Sequence, residues 1–403
     1  MFLDTLAMVL TAALRVFSLY FVLIAICSLK RPKPFRRVAP KTRFACLVAA
    51  RNEELVIGQL VESLRQQSYP DELYDIYVIP NHCADDTEDC ARRAGAKILR
   101  CLEPVRCKGD ALHEAVSRLL PHGYDAFCVF DADNVVDGQF LARMNDAFCS
   151  GTKVAKASLR VKNPRDSWVS GCYGLYFTLF DTFYNRARAN CGLSAKLVGT
   201  GFAVHREVFE KLGGWNTDTI AEDAEFSTQC AALGVRIRYV PEAVTYDEAP
   251  VNMRTSLRQR RRWCSGIMTV TGRRFKTLIP AVGRKGAFRA FDMMVFLLGP
   301  FAQALSVVPL ALAALSAAVQ GELGEYGLMA AVGLIAAWVG CSAFAAILAR
   351  IGGYGTAVVK SILTFPLFMA TWLPLQVVSL VRRTHEWKTI SHTRGMSVGE
   401  LTR

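Results

Sequence analysis

The segment from Leu6 to Leu29 is a run of 24 residues carrying a single charge, Arg15. Wound as a helix, that length spans a hydrocarbon core about 30 Å thick. A cleaved signal peptide is not expected, because no Lys or Arg precedes the run and no small-residue cleavage site follows it. Arg15 near the middle costs about 2.5–3.5 kcal/mol on insertion scales, so it is expected to face other helices or to snorkel. Lys30, Arg31, Lys33, Arg36, Arg37, Lys41 and Arg43 follow at once. Positive charge marks the cytoplasmic flank, so the N-terminus is expected outside and the following domain in the cytosol.

Three further apolar runs lie near the C-terminus, at Phe291–Val319, Tyr326–Leu348 and Thr356–Val381. The loop Gln320–Glu325 has two Glu and no Lys or Arg, which places it outside; the turn around Arg350–Lys360 belongs inside. Arg382, Arg383, Lys388, Arg394 and Arg403 argue for a cytosolic tail, so one run is expected not to cross fully. The first is the candidate, since Asp292 opens it and Pro300 and Pro309 interrupt it.

With 48 Lys and Arg against 35 Asp and Glu, the 403-residue chain has a net charge of +13. Hydrophobic residues make up 52% and charged ones 21%, which excludes a disordered chain or a coiled coil. The basic residues cluster at membrane flanks, so nucleic acid is not an expected partner. Thirteen scattered cysteines without CxxC spacing read as reduced thiols.

Residues 44–250 alternate strand-like runs with helical patterns. Phe44–Ala50, Tyr74–Ile79 and Ala126–Phe130 are short apolar runs, each ending in a polar cluster, with helices expected over Leu55–Gln66 and Asp86–Ala94. This alternation implies a parallel sheet, and ligands of such sheets sit beyond the C-terminal strand ends. The clusters Asn52-Glu53, Asn81 to Asp86 and Asp131-Ala132-Asp133 fall at those ends. No GxGxxG or GxxxxGK[ST] is present, which disfavours dinucleotide and P-loop chemistry. Two carboxylates at i and i+2 beyond a strand suit a hard divalent cation holding a diphosphate, although a solvated acidic turn has the same look. Glu222-Asp223, after Gly199-Thr200-Gly201, offers a general base or a charge-favoured helix start, or both.

Arg258-Gln259-Arg260-Arg261-Arg262-Trp263 reads either as a positive-inside anchor or as a site, with Arg262 meeting a phosphate and Trp263 a sugar ring. Asp166–Arg188 is dense in aromatics and is expected to form an interfacial helix, with a core helix as the alternative.

In order along the chain, Asn52-Glu53, Asp85-Asp86, Lys108-Gly109, Asp131-x-Asp133, Gly199-Thr200-Gly201, Glu222-Asp223 and Gln259-x-x-Arg262-Trp263 resemble the membrane-embedded family-2 glycosyltransferases. These include cellulose, chitin, hyaluronan and poly-N-acetylglucosamine synthases, and the match runs from about residue 42 to 270. The resemblance implies an α/β GT-A-type nucleotide-sugar domain inserted between transmembrane α-helices. Its divisions are a transmembrane helix over 1–30, a cytosolic GT-A domain over 31–252, interfacial helices with the QxxRW motif over 253–287, transmembrane helices over 288–382 and a cytosolic tail over 383–403.

It further implies an inverting enzyme of a bacterial plasma membrane, using UDP-glucose or UDP-N-acetylglucosamine with Mg²⁺ or Mn²⁺. Carried over by position, Asp223 is the base, with Glu222 beside it. Glu53, Asp85, Lys108, Asp131, Gln259 and Arg262 meet the donor, and Asp133 the metal. Trp263 and Gly199-Thr200-Gly201 face the acceptor. Trp387, Thr389, His392, Thr393 and Arg394 resemble the gating segment that closes over nucleotide. The leading expectation is elongation and translocation of a β-linked polysaccharide. Single-sugar transfer to a membrane lipid and an inactive membrane subunit are the alternatives. A second copy of the chain is expected where four apolar spans make too narrow a channel. IAED where many synthases have TED, and Asp110 after Lys108-Gly109, depart from the family pattern.

Overall fold

The computed structural model describes residues 2–283 and 286–384. Eight strands form one mixed sheet: β1 (Phe44–Ala50), β2 (Tyr74–Pro80), β3 (Lys97–Ile98), β4 (Ala126–Asp131), β5 (Val135–Val136), β6 (Val154–Val161), β7 (Phe202–His205) and β8 (Ile237–Asp247), in the order β3-β2-β1-β4-β7-β6-β8-β5. The expected strands over 44–50, 74–79 and 126–130 are all present and parallel. β7 runs antiparallel between β4 and β6, and β8 is parallel to β6.

Side-chain alternation explains why β1 and β4 are apolar throughout. Phe44, Cys46 and Val48 of β1 and Cys128 and Phe130 of β4 point to one face, where they meet α2 (Ile57–Arg65), α3 (Thr87–Ala94) and α5 (Phe140–Cys149). Ala45, Leu47, Phe127 and Val129 point to the other, beneath α4 (Lys108–Leu119), α8 (Arg206–Leu212) and α9 (Glu222–Ala232). A strand buried on both faces needs a continuous apolar run, and each fully buried Leu, Val or Phe contributes about 1.5–3 kcal/mol.

Register then gathers the polar clusters. Ala49 lies opposite Asp131 and Ala50 opposite Pro80, so β1, β2 and β4 end flush. Two antiparallel steps across β7 restore the direction of β4 in β6 and β8, and Val161 pairs with Asp247. Five strands therefore deliver their C-terminal ends to one edge, and the loop leading into β7 starts there too.

The flanking helices are α1 (Phe2–Ile26), α6 (Trp168–Leu179), α7 (Ala187–Asn190), α10 (Met253–Val282), α11 (Ala287–Leu305), α12 (Val307–Gln320), α13 (Leu323–Gly352), α14 (Val359–Ala370) and α15 (Trp372–Val381). Among the described residues, four stretches are long and apolar enough to cross a membrane: Phe2–Leu29, Ala287–Gln320, Leu323–Gly352 and Gly355–Val381. Exposed Val9, Leu19, Leu328, Val332 and Leu334 give them a belt suited to lipid. Arg15 is itself exposed on α1, so it does not face other helices. The run opened by Asp292 is broken at Ser306, between α11 and α12, while Pro300 sits inside α11.

The aromatic segment is a core helix rather than an interfacial one. Val169, Cys172, Tyr173 and Leu175 of α6 are buried against Ala345 and Leu348 of α13 and Phe365 and Phe368 of α14. The packing of α13 and α14 over it covers the face that would otherwise meet the membrane surface. Beyond α6 the chain continues as a π-helix, Phe180–Arg186, whose Asp181 accepts from the Ser158 hydroxyl at 2.7 Å and the Leu159 amide at 2.9 Å.

A buried ion pair ties this segment to α11. Arg188 donates to Asp292 through Nε at 2.9 Å and Nη2 at 2.8 Å, and Tyr20 of α1 donates to the same carboxylate at 2.8 Å. Arg188 and Asp292 are 1% and 3% exposed. Removing one partner of such a pair strands the other charge, at about 3–5 kcal/mol. Asp292→Ala is therefore expected to lower the thermal midpoint of the detergent-solubilised protein sharply, with Asp292→Asn milder, as read by intrinsic fluorescence.

Candidate active site

The edge assembled by the strands carries the acidic residues in a defined arrangement. Asp131 ends β4, and its amide donates to Thr200 Oγ1 at 3.1 Å and Asn134 Oδ1 at 3.2 Å. Lys108, at the start of α4, donates to Asp131 Oδ1 at 2.5 Å and to the Gly199 carbonyl at 2.6 Å, with Glu222 3.9 Å away. Its ammonium therefore organises the carboxylates. Burial alone would lower the Lys108 pKa, but Asp131, Glu222 and Asp223 outweigh it and raise it.

α9 begins with Glu222, Asp223 and Glu225 in its first turn, where the helix dipole favours negative charge. Asp223 Oδ2 accepts from the Gly199 amide at 2.7 Å and Oδ1 from the Ala224 amide at 2.7 Å, so both oxygens are oriented by backbone. The helix-start reading of this pair holds, and Asp223 also lines the cavity described below. Fully buried Glu225 holds α9 to α10 through Arg274 at 2.6 Å.

Helical phase sorts the arginine cluster on α10. Gln259, Arg262 and Trp263 stand at i, i+3 and i+4, one face of the helix, and all three line the cavity described below. Gln259 Oε1 accepts from the Tyr173 hydroxyl at 2.8 Å. Trp263 stacks on Trp372 of α15, centroids 6.2 Å apart. Arg260 points the opposite way, fully buried, with its guanidinium 4.1 Å from the Phe368 ring and Nη1 donating to the Phe368 carbonyl at 3.0 Å. Arg261 reaches the Arg382 carbonyl at 3.3 Å. A membrane-flank anchor alone does not account for this division of labour.

These groups line one cavity of about 1030 Å³. It brings together Glu53, Lys108, Asp131, Asp133, Gly199, Thr200, Glu222, Asp223, Gln259, Arg262 and Trp263. Asp85 and Gly201 do not line it. Asp85 instead accepts from Thr87 Oγ1 at 2.5 Å and from the Glu54 amide at 3.1 Å, which braces the turn carrying Glu53. Gly201 has φ +63°, and a Cβ there would lie 2.5 Å from Thr245 Oγ1, so its part is steric. Trp387, Thr389, His392, Thr393 and Arg394 lie outside the described residues.

Three lining groups escaped the sequence reading. Asp247 ends β8 as Asp131 ends β4, and Glu248 follows it, a strand-end signal that could have found them. Lys196 had no such signal. Among the described residues, seven carboxylates and three cationic side chains line the cavity. Among the described residues no three His, Cys, Asp or Glu are grouped as a metal cage. Asp131 and Asp133, both lining the cavity, carry oxygen donors of the kind that Mg²⁺ or Mn²⁺ takes.

Away from the site's acids, the cavity continues between α1, α11 and α15, past Leu14, Phe17, Phe21, Phe296, Pro300 and Leu373.

Residues 126–373 match the family described as glycosyl transferase family group 2. The chain is 28% identical over 281 residues to the Bacillus subtilis protein named "Probable glycosyltransferase YdaM", covering 65% of this chain and 66% of that one. It is 25% identical over 279 residues to the β-monoglucosyldiacylglycerol synthase of Nostoc sp., covering 67% and 58%. It is 24% identical over 226 residues to the poly-β-1,6-N-acetyl-D-glucosamine synthase of Staphylococcus epidermidis, covering 55% and 53%. The chain thus spans about half to two thirds of the length of these relatives. Among solved structures, the mannosyltransferase PcManGT of Pyrobaculum calidifontis, in complex with GDP-Man and Mn²⁺, superposes with a TM-score of 0.61 at 22% identity, over 92% of this chain and 99% of that one. The fold is accordingly GT-A-like, as expected.

The buried Glu222 gives the site a pH signature. Burial, opposed by Lys108 and reinforced by Asp223 and Asp131, raises its pKa to about 7. A carboxyl raised above its unfolded value stabilises the fold fully below about 4.5, and that contribution is lost as pH rises through about 7. Glu222→Gln, which mimics the protonated form, is expected to flatten the fall in thermal midpoint between pH 5 and 7.5; an unchanged slope would assign the titration elsewhere.

Proposed function

Because the chain belongs to glycosyl transferase family group 2, we propose that this glycosyltransferase moves one hexosyl group from a UDP-sugar to a lipid acceptor that enters from the membrane. The single observation that carries this reading is the continuity of the cavity, from Asp131, Asp133 and Asp223 to the apolar walls of α1, α11 and α15. An acyl chain fits walls of Leu and Phe, while the head group reaches the carboxylates. The Nostoc relative, whose name states glucosyl transfer to diacylglycerol, supports the same acceptor class.

Inversion follows from attack in line with the departing diphosphate. The acceptor hydroxyl bonds to the anomeric carbon, the bond to the diphosphate breaks, and Asp223 takes the hydroxyl proton. The Gly199 and Ala224 amides fix the orientation of both oxygens, each of which keeps a further lone pair, and a positioned base is worth roughly 10²–10⁴-fold. Arg262 faces the leaving diphosphate, and Trp263 offers its ring to a sugar. When bound at Asp133, Mg²⁺ or Mn²⁺ supplies neutralisation of the developing diphosphate charge.

Polymer elongation is the second reading. Gln303 and Gln376, which hydrogen-bond across α11 and α15, give the membrane side of the cavity amides that could meet sugar hydroxyls. The Staphylococcus relative's name is that of a polymer synthase.

Protein in vesicles, supplied separately with UDP-glucose and UDP-N-acetylglucosamine, is expected to release UDP and yield a single glycolipid; a ladder of polymer would establish the second reading instead. Asp223→Asn is expected to lower turnover by roughly 10²–10⁴-fold while UDP still binds. Asp133→Ala is expected to abolish the metal-dependent part of UDP affinity in calorimetry.

A further inference from the structure

Lys156, Lys162 and Lys196 are buried and Lys108 nearly so, and three of these four are satisfied. Lys108 meets Asp131 and Gly199. Lys156 donates to the Ala157 carbonyl at 2.8 Å, and Lys162 pairs with Glu248 at 3.0 Å. Lys196 is different. It is 9% exposed and lines the cavity, yet among the described residues its ammonium has neither a hydrogen bond nor an ion pair. It rests instead 4.1 Å from the centre of the Phe296 ring, on α11, and 5.7 Å from that of Phe180. Burial lowers its pKa to about 8, against the opposing pull of Asp223.

The rest of the Lys196 side chain is buried, while its ammonium opens onto the cavity without a protein hydrogen-bond partner among the described residues, so a ligand entering there can replace the water that solvates it. An ammonium held over aromatic rings and aimed into a ligand cavity marks a place where the ligand brings the partner. The donor diphosphate has Arg262 and the cation at Asp133. Lys196 rests over Phe296, which lines the apolar extension of the cavity beside α11, and so stands where a lipid acceptor would enter.

We infer that Lys196 binds a phosphate ester on the acceptor, so that the preferred acceptor is an anionic phospholipid whose head group also carries the attacking hydroxyl. This rests on the lipid-acceptor reading and narrows it. The reaction balances as before: the head-group hydroxyl bonds to the anomeric carbon, UDP leaves, the proton passes to Asp223, and Lys196 keeps its proton throughout.

The test offers phosphatidylglycerol and diacylglycerol, both bearing free hydroxyls, in separate phosphatidylcholine vesicles with UDP-glucose or UDP-N-acetylglucosamine. Soluble glycerol 3-phosphate forms a third arm. The wild type is expected to glycosylate phosphatidylglycerol in preference to the other two. Lys196→Met is expected to raise the apparent KM for phosphatidylglycerol by about tenfold to a hundredfold more than that for diacylglycerol, the loss of one charge-assisted hydrogen bond, with Lys196→Arg largely rescuing. UDP binding by each variant reports that the domain is folded. Diacylglycerol serving the wild type as well as phosphatidylglycerol would overturn the inference while leaving a lipid acceptor in place, and needs no variant. An equal loss on both lipids would overturn it too, since Lys196 would then act through Asp223. Glycerol 3-phosphate serving as well as the lipid would reduce the site to a phosphate site and refute the phospholipid. Polymer with neither lipid labelled would remove the lipid-acceptor reading itself.

Discussion

The joint on which the site depends is the Lys108 ammonium, which donates at once to Asp131 at the end of β4 and to the Gly199 carbonyl in the loop before β7. That loop presents the Gly199 amide to Asp223. One cation thereby couples the strand-end carboxylates to the carboxylate of α9, and it lets acids that repel one another share a small volume. The cost of burying the ammonium is offset by three neighbouring carboxylates. The same crowding is why Glu222, the least compensated of them, holds its proton to about pH 7.

Around this joint the sheet acts as a positioning device. Strands buried on both faces have little freedom to slip, since a one-residue shift would turn every side chain to the wrong layer. The flush ends of β1, β2 and β4 follow from that, and so does the meeting of Glu53 and Asp131 in one cavity. α10 extends the same precision to the membrane side. Its 100° step per residue sends Arg262 toward the cavity and Arg260 into the packing of α14 and α15. The candidate membrane-spanning helices are thus packed against the helix that carries Gln259, Arg262 and Trp263, and a single cavity runs between them.

Much of this was legible in the residues taken in order. The apolar runs, the three parallel strands and the acidic clusters at their ends need only periodicities of 2 and 3.6 to be read. The aromatic stretch over Asp166–Arg188 was not, because an apolar helix face has the same composition whether lipid headgroups or α13 and α14 cover it. Asp247-Glu248 sits at the end of a long strand whose direction in the sheet depends on β7 being inserted antiparallel, a long-range pairing with no local mark. Asp85 lies outside the cavity lining and accepts from the Thr87 hydroxyl, a placement with no local mark in the sequence.

By itself, then, the amino-acid order determined the strand-end chemistry, the length of the apolar spans and the face shared by Gln259, Arg262 and Trp263. All are local properties, set by side-chain period and by the distance a helix or strand advances per residue. Only the tertiary structure decided which charges found partners. Lys108 and Lys196 are the same residue type in similarly mixed surroundings along the chain. One is neutralised by carboxylates from distant segments and the other is left over aromatic rings, because electrostatic compensation depends on distances through space that no local pattern encodes.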